Sequence, residues 1–524
     1  MTSSRALARA GLIVSGAFLV SRVLGWFRVV VIVGAGLPAT DLDAFFAAFR
    51  LPDLVFQLVA AGALSSAVIP IVSALLATDE TARAWRVVST IANLMLVGLL
   101  VLGVIVFIAA PVIIPTIIAP GWDDVRWART IDLTRIMILS PIFLALGSLA
   151  TSVLNARGRF AASAIAPIVY NLAIIGAALF LVPTLGVTGL AIGVVAGSMV
   201  HLGVQILPLR ALGFLYVPAV DLADPDARQA LKLMAPRALG PGAGQITFVV
   251  VTSLASTLFV GAVTGFNVAF TLLQIPIGVI GVPLGIVVLP SLAREAATGN
   301  LTAFADLMSR AIRLIVFVMV PITAIAIVLR SEVIRLLFGG AKLDAFGFDQ
   351  TATTLAAFLV GLTAHALIAV LARAFYARQD TRTPVAAAVL AVAVNSTLAA
   401  VLVGPLGLPG LGLAIAVAAW LEAIVLVVLL KRSLPELEIR PIGSLALRSL
   451  VVAVGGGLAA AGVAAGLGLA LGTDPSRVTL VVRMTIVGFV WLVTSAAISV
   501  VLRIGELPAM IGLMLDLVRR PREA

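Results

Sequence analysis

Long apolar runs alternate with short polar connections along almost the whole chain. A helix needs ~20 mostly apolar residues to cross a bilayer. Fourteen stretches meet that length, near 10–34, 44–77, 87–110, 131–154, 161–182, 187–208, 231–260, 266–293, 309–329, 352–374, 384–404, 410–430, 445–471 and 480–502. The pattern predicts an all-α, polytopic membrane protein with 14 transmembrane helices.

The connections predict the orientation. Cations gather in every second one: Arg83 and Arg86; Arg157 and Arg159; Arg210, Arg228, Lys232 and Arg237; Arg294, Arg310 and Arg313; Arg373, Arg378 and Arg382; Lys431, Arg432 and Arg440. The C-terminal tail adds Arg503, Arg519, Arg520 and Arg522. The alternate connections hold few, and those near 183–187, 261–265 and 404–409 hold none. Cytoplasmic loops carry such an excess of cations, so both termini are expected in the cytoplasm, with the phase kept through every crossing. Arg5 and Arg9 ahead of an apolar run resemble a signal peptide. No small-residue cleavage site closes that run early, so an uncleaved first helix is expected.

The chain also repeats itself. Ala156-Arg157 recurs as Ala377-Arg378, and Leu185-Gly186 with Gly189-Leu190 recurs as Leu406-Gly407 with Gly410-Leu411, both at an offset of 221 residues. More loosely, Pro52…Pro70 recurs as Pro276…Pro290. This predicts two parallel six-helix lobes, 1–210 and 211–432, around a central cavity, the common build of secondary transporters. Helices 13 and 14 and a cytoplasmic tail fill 433–524. Helix 13 carries Gly455, Gly456, Gly457, Gly462 and Gly466, which suit close helix packing in lipid or a groove for an acyl chain.

Composition narrows the class. The 524 residues are 62% hydrophobic and 11% charged, with mean hydropathy +1.20, which excludes a water-soluble globular protein. The net charge of +11 falls on the short connections and so argues for a membrane surface, not for nucleic acid. Cysteine is absent, which excludes disulfides and thiolate metal sites. His201 and His365 stand alone in apolar runs and are expected as buried structural residues, so no metal or cofactor is expected. An enzyme is not expected either. L-G-P-G-A-G-Q at 239–245 lacks the Lys-Ser/Thr of a phosphate loop and suits a mobile start to helix 7, and no paired carboxylates stand at hydrolytic spacing inside a span.

The chemistry lies in the first two helices. Arg22, Arg28 and Arg50 sit in segments long enough to span, where charge is costly and usually faces a wet cavity or an anionic partner. Arg22 and Arg28 are six residues apart, so they stand about 120° apart and ~9 Å along the axis. Gly25 between them permits a bend, and Pro52, just after Arg50, kinks helix 2. Guanidinium forks bind phosphate oxygens in pairs, so three that converge suit a pyrophosphate, with Ser21 as a further donor. Against this, Arg28 can snorkel to an interface and Arg50 can pair with Asp43 or Asp53. Asp43 itself can orient the arginines, gate the outer mouth or cap helix 2.

These residues resemble the MurJ/MviN family of lipid II flippases, in the multidrug/oligosaccharidyl-lipid/polysaccharide (MOP) exporter superfamily. The resemblance rests on S-R-V-L-G-W-F-R at 21–28, D-A-F-F-A-A-F-R-L-P at 43–52 and G-A-L-S-S-A-V-I-P at 62–70. It extends through P-I-G-V-I-G-V-P-L-G-I-V-V-L-P-S-L at 276–292 and R-A-F-Y-A-R-Q-D-T-R-T-P at 373–384. It implies a flippase that moves undecaprenyl-pyrophosphate-linked lipid II to the outer leaflet of a bacterial plasma membrane by alternating access. Arg22, Arg28 and Arg50 would then touch the substrate, with Ser21 and Asp43 nearby, and cell-wall synthesis proteins become candidate partners. Three positions depart from the family pattern: Val29 and Ala61 stand where it commonly has acids, and Thr271 where it commonly has an arginine. The rival readings are an exporter of another lipid-linked glycan or of drugs, and a transport-dead cell-wall scaffold.

Overall fold

The computed structural model describes residues 4–59, 63–218, 220–339, 345–471 and 476–508. Among these, every regular element is helical, and the described part of each of the fourteen apolar stretches is mainly helix. Ten helices or unbroken helix series are long and apolar enough to cross a bilayer, and a pair bent by 43°, Phe346–Leu359 with Leu362–Ala377, supplies an eleventh. The other three stretches expected to cross are the first helix, the jointed second and the seventh. The chain packs into two compact units that divide between Asn267 and Val268.

The first unit begins with α1 (Ser4–Val33) and a second helix in three pieces, α2 (Ala39–Ala48), α3 (Arg50–Val59) and α4 (Ala63–Ala77). It continues with α5 (Thr81–Ile113), α6 (Asp124–Met137), α7 (Ser140–Ala156), α8 (Phe160–Phe180), the single turn α9 (Val182–Leu185) and α10 (Val187–Arg210). It closes with α11 (Pro225–Ala255) and the first turn of α12 (Ala262–Pro276). The helix α11 runs without a break through the glycine-rich stretch at 239–245. Trp122, just before α6, is buried, and Trp127 donates its indole N–H to Ala119 O at 2.8 Å.

After α10 the chain turns back as an extended strap, Phe214 to Pro218, laid along α5. Extended backbone near lipid must find its hydrogen bonds from protein, and α5 supplies them from one face. Ser89 Oγ accepts from Val217 N at 3.1 Å, Asn93 Nδ2 donates to Val217 O at 3.2 Å, and Thr90 Oγ1 accepts from Asp221 N at 3.1 Å. The Asp224 carboxylate then caps α11, and Arg83 clamps this end by ion pairs to Glu80, Asp224 and Asp226.

The second unit holds the rest of α12, a wide π-turn segment at Ile277–Gly281, α13 (Val282–Thr298), α14 (Leu301–Val328), α15 (Arg330–Phe338), α16 (Ala345–Leu359) and α17 (Leu362–Ala377). Then come α18 (Arg382–Leu406), α19 (Leu408–Ser433), α20 (Ile439–Leu471) and α21 (Arg477–Val501). Here α20 packs on α14 and α21, with Leu329, Ala460, Ala464 and Val487 in one buried cluster. The small residues of helix 13 serve that packing: a Cβ on Gly456 would overlap Ser495 Oγ. Asp380 caps α18, taking hydrogen bonds from the backbone of Arg382 and Thr383.

The sequence repeat is also a repeat of backbone conformation. Gly186 and Gly407 open α10 and α19 with φ of 57° and 60° and ψ of −144° and −139°. That left-handed region strongly favours glycine. Arg157 and Arg378 end α7 and α17 at φ −97°, ψ 9° and φ −93°, ψ 11°.

Candidate functional site

Helix 2 breaks at Phe49, between α2 and α3, and proline is the cause. In an unbroken helix residue 52 would donate to the carbonyl of Ala48; Pro52 has no N–H. The freed Ala48 carbonyl accepts instead from Thr134 Oγ1 of α6, at 3.4 Å. The break makes Arg50 the first residue of α3.

Arg50 is 7% exposed. Its Nε donates to Thr252 Oγ1 at 2.8 Å and its Nη2 to Asn267 Oδ1 at 2.7 Å. The guanidinium lies 5.2 Å from the ring centroid of Phe248, and Asn267 is fixed in turn by its own Nδ2, which donates to Val263 O at 2.7 Å. Among the described residues no carboxylate pairs with Arg50. Of a guanidinium's five N–H donors, two are used. The cation is held by neutral groups, with charge and donors to spare.

Arg28, on α1, lies 5.7 Å from the Tyr170 ring centroid of α8, and its buried Nε has no hydrogen-bond partner among the described residues. It is half-buried against α8. Asp53, one turn beyond Arg50, is within electrostatic reach of both Arg28 and Arg50 and forms an ion pair with neither. The structure thus gathers Arg28, Arg50, Asp53 and Tyr170 into one neighbourhood. Arg22 is half-buried on α1 and has a partner of its own. The Ser21 carbonyl accepts from Asn171 Nδ2 of α8 at 3.4 Å. α1 passes through Gly25 without a break, and the nearest atom to a Cβ there would be Asn171 Oδ1 at 3.9 Å.

Asp43 reaches from helix 2 to the start of α12. Its carboxylate, 1% exposed, caps neither its own helix nor any arginine. It accepts from Gly261 N at 2.7 Å, Thr264 N at 2.8 Å and Thr264 Oγ1 at 2.7 Å, and so serves as the N-terminal cap of α12, where unpaired N–H groups and the helix dipole favour an anion. Of the three departures, Val29 is buried, Thr271 is half-buried and Ala61 lies outside the described residues.

Sequence reasoning missed the neutral cradle of Thr252, Asn267 and Phe248, and the Tyr170–Asn171 pair beneath α1. The repeat offset held the signal: it sets Phe46 against Asn267, an amide where the first copy has an aromatic ring. It also missed Arg483 of α21, which pairs with Glu332 of α15 at 3.4 Å and donates to Ala464 O at 2.8 Å. That half-buried cation has a carboxylate in ion-pair contact, which Arg50 lacks among the described residues. His201 is buried behind Gly147, whose Cβ, if present, would overlap His201 Nδ1. No cluster of metal-ligating side chains exists among the described residues.

An all-helical chain with ten helices apolar enough to cross a bilayer defines a polytopic membrane protein. The fold is that of MOP-superfamily transporters. It matches a solved multidrug resistance MATE family transporter of that superfamily, inward-facing, with a TM-score of 0.67 at 17% identity, over 79% of this chain and 95% of the other. A lipid II flippase MurJ solved in an inward closed conformation matches with a TM-score of 0.76 at 22% identity, over 94% and 99%. Residues 30–468 match the family model described as lipid II flippase MurJ. A probable lipid II flippase MurJ of Rhizobium tropici is 31% identical over 433 residues, 81% of either chain. The chain belongs to the MurJ family of lipid II flippases.

Proposed function

We propose that this protein moves lipid II, an undecaprenyl-pyrophosphate-linked muropeptide, from the cytoplasmic to the outer leaflet of a bacterial plasma membrane. Both termini lie in the cytoplasm, and the arginine-bearing face of the first unit is exposed alternately to the two sides. The observation that carries this reading is the neutral cradle of Arg50. A cation buried at a membrane-spanning position is retained where an anion needs it, and Thr252, Asn267 and Phe248 orient the guanidinium without consuming its charge.

Arg28 adds a second guanidinium with a free Nε, and Arg22 and Ser21 line the same helix further towards its N-terminus. The diphosphate binds across these donors while the prenyl tail stays in lipid. Gly25 and the Pro52 break give the two arginine-bearing segments room to readjust, and Asp43 holds the α12 end of the cradle in place. An inside-negative potential drives each exported negative charge by ~2.3 kcal/mol per 100 mV, so net export can proceed on the field alone. Binding shifts the carrier only as far as its two states differ in affinity for the headgroup.

The experiment is growth rescue in cells depleted of their lipid II flippase, paired with measurement of lipid II in the outer leaflet. The wild-type gene restores both, and Arg50→Ala restores neither at equal membrane abundance. Failure of the wild type with lipid II, together with movement of another prenyl-diphosphate-linked glycan, would identify a different cargo. Growth rescue by Arg50→Ala would leave a scaffold as the better account.

A further inference from the structure

The first unit contains a second concavity, away from the arginine cluster and sharing no residue with it. A groove of about 490 Å³ opens between α5, α7 and α10 and runs beneath the strap. Its walls are apolar, with Leu96, Leu146, Ala150, Leu202 and Phe214 among them. The polar atoms that could face it are already spent. Tyr216 Oη donates to Asn93 Oδ1 at 2.6 Å, and Asn93 Nδ2 is bonded to the strap backbone. An occupant therefore meets an apolar wall.

The mouth is different. Arg210, the last residue of α10, lines the groove, is exposed, and has no hydrogen-bond or ion-pair partner among the described residues. The apolar body and single free cation together fit one class of molecule. We propose that the groove holds an acyl chain of an anionic phospholipid whose phosphate sits on Arg210. A cation beside the membrane surface attracts anionic lipid, and a guanidinium fork suits a phosphodiester. The groove occupies the half of the unit nearest the Arg83, Arg157 and Arg210 end, so the lipid comes from the leaflet that borders that end. The bound chain fills the space under the strap and braces it against α5 and α7, next to the clamp that Arg83 makes on the start of α11.

The test uses the full-length protein, reconstituted in vesicles of equal phosphatidylglycerol and phosphatidylcholine, then extracted in mild detergent. The lipid retained is counted by mass spectrometry. The wild type retains phosphatidylglycerol over phosphatidylcholine. Arg210→Gln lowers phosphatidylglycerol retention about five-fold and leaves phosphatidylcholine unchanged. Ala92→Trp, which sets an indole into the groove, lowers both. Arg159→Gln, an exposed cation outside the groove, changes neither. Equal retention of the two lipids by the wild type, wild-type retention by both groove variants, or an equal loss in Arg159→Gln would each overturn the proposal. The readout is lipid bound and not cargo moved, so it stands or falls separately from lipid II transport.

Discussion

Asn267→Asp isolates the charge of Arg50 from its geometry. The substitution keeps shape and places a carboxylate oxygen where the amide oxygen now accepts from Arg50 Nη2 at 2.7 Å, while a second oxygen replaces the Nδ2 that donates to Val263 O. At a charge separation of about 4 Å and an effective dielectric of ~20, the new pair gains ~4 kcal/mol. Desolvation of the carboxylate offsets part of that. If half survives, ~2 kcal/mol of attraction is withdrawn from any phosphate competing for the same guanidinium, roughly 30-fold in affinity. The two readouts move apart. Thermal stability in detergent changes little, because the ion pair offsets the loss of the Asn267 Nδ2 bond to Val263 O, which alone costs about 1–3 kcal/mol, whereas lipid II transport into the outer leaflet of reconstituted vesicles falls at least ten-fold. Thr252→Val is the contrasting control: it leaves Arg50 Nε unsatisfied and costs about 1–3 kcal/mol of stability. An Asn267→Asp protein that transports at the wild-type rate would refute the argument. So would one whose activity falls only in step with its stability.

Three further outcomes follow from packing. Asp43→Asn weakens a carboxylate that accepts three hydrogen bonds at the start of α12, and should lower unfolding stability by about 1–3 kcal/mol, read as a fall in melting temperature. Gly147→Ala drives a Cβ into His201 and should cost about 1–3 kcal/mol; His201→Ala in the same chain should recover most of it, and a strictly additive double variant would show that the two do not touch. Arg483→Leu or Glu332→Gln alone strands one member of a largely buried ion pair, at about 3–5 kcal/mol. The double variant should be milder than either, while transport per folded molecule stays unchanged in all three.

The helices were legible because burial in lipid demands long apolar runs. The Pro52 break was legible for the same kind of reason, since a missing N–H acts locally. The partners of Arg50 were not. Thr252 and Asn267 stand 202 and 217 residues away, and as neutral side chains in apolar runs they carry no charge to mark them. Asp43 misled in a different way. An acid early in a helix reads as its own cap, and only the tertiary structure brings the α12 terminus to it. Arg483 and Glu332 were passed over because each lies near the end of its helix, where a charge normally reaches water.

The hydrogen bond between Asp43 and Thr264 joins positions separated by 221 residues, the same interval that separates Ala156-Arg157 from Ala377-Arg378. In a symmetric ancestor built from two identical half-length chains, the same letter would have faced itself across that contact. Two aspartates would repel one another, and two threonines would leave the helix start without an anion. A single chain is free of that constraint, so one position can be the acid and the other the donor. The contact works because the two positions differ.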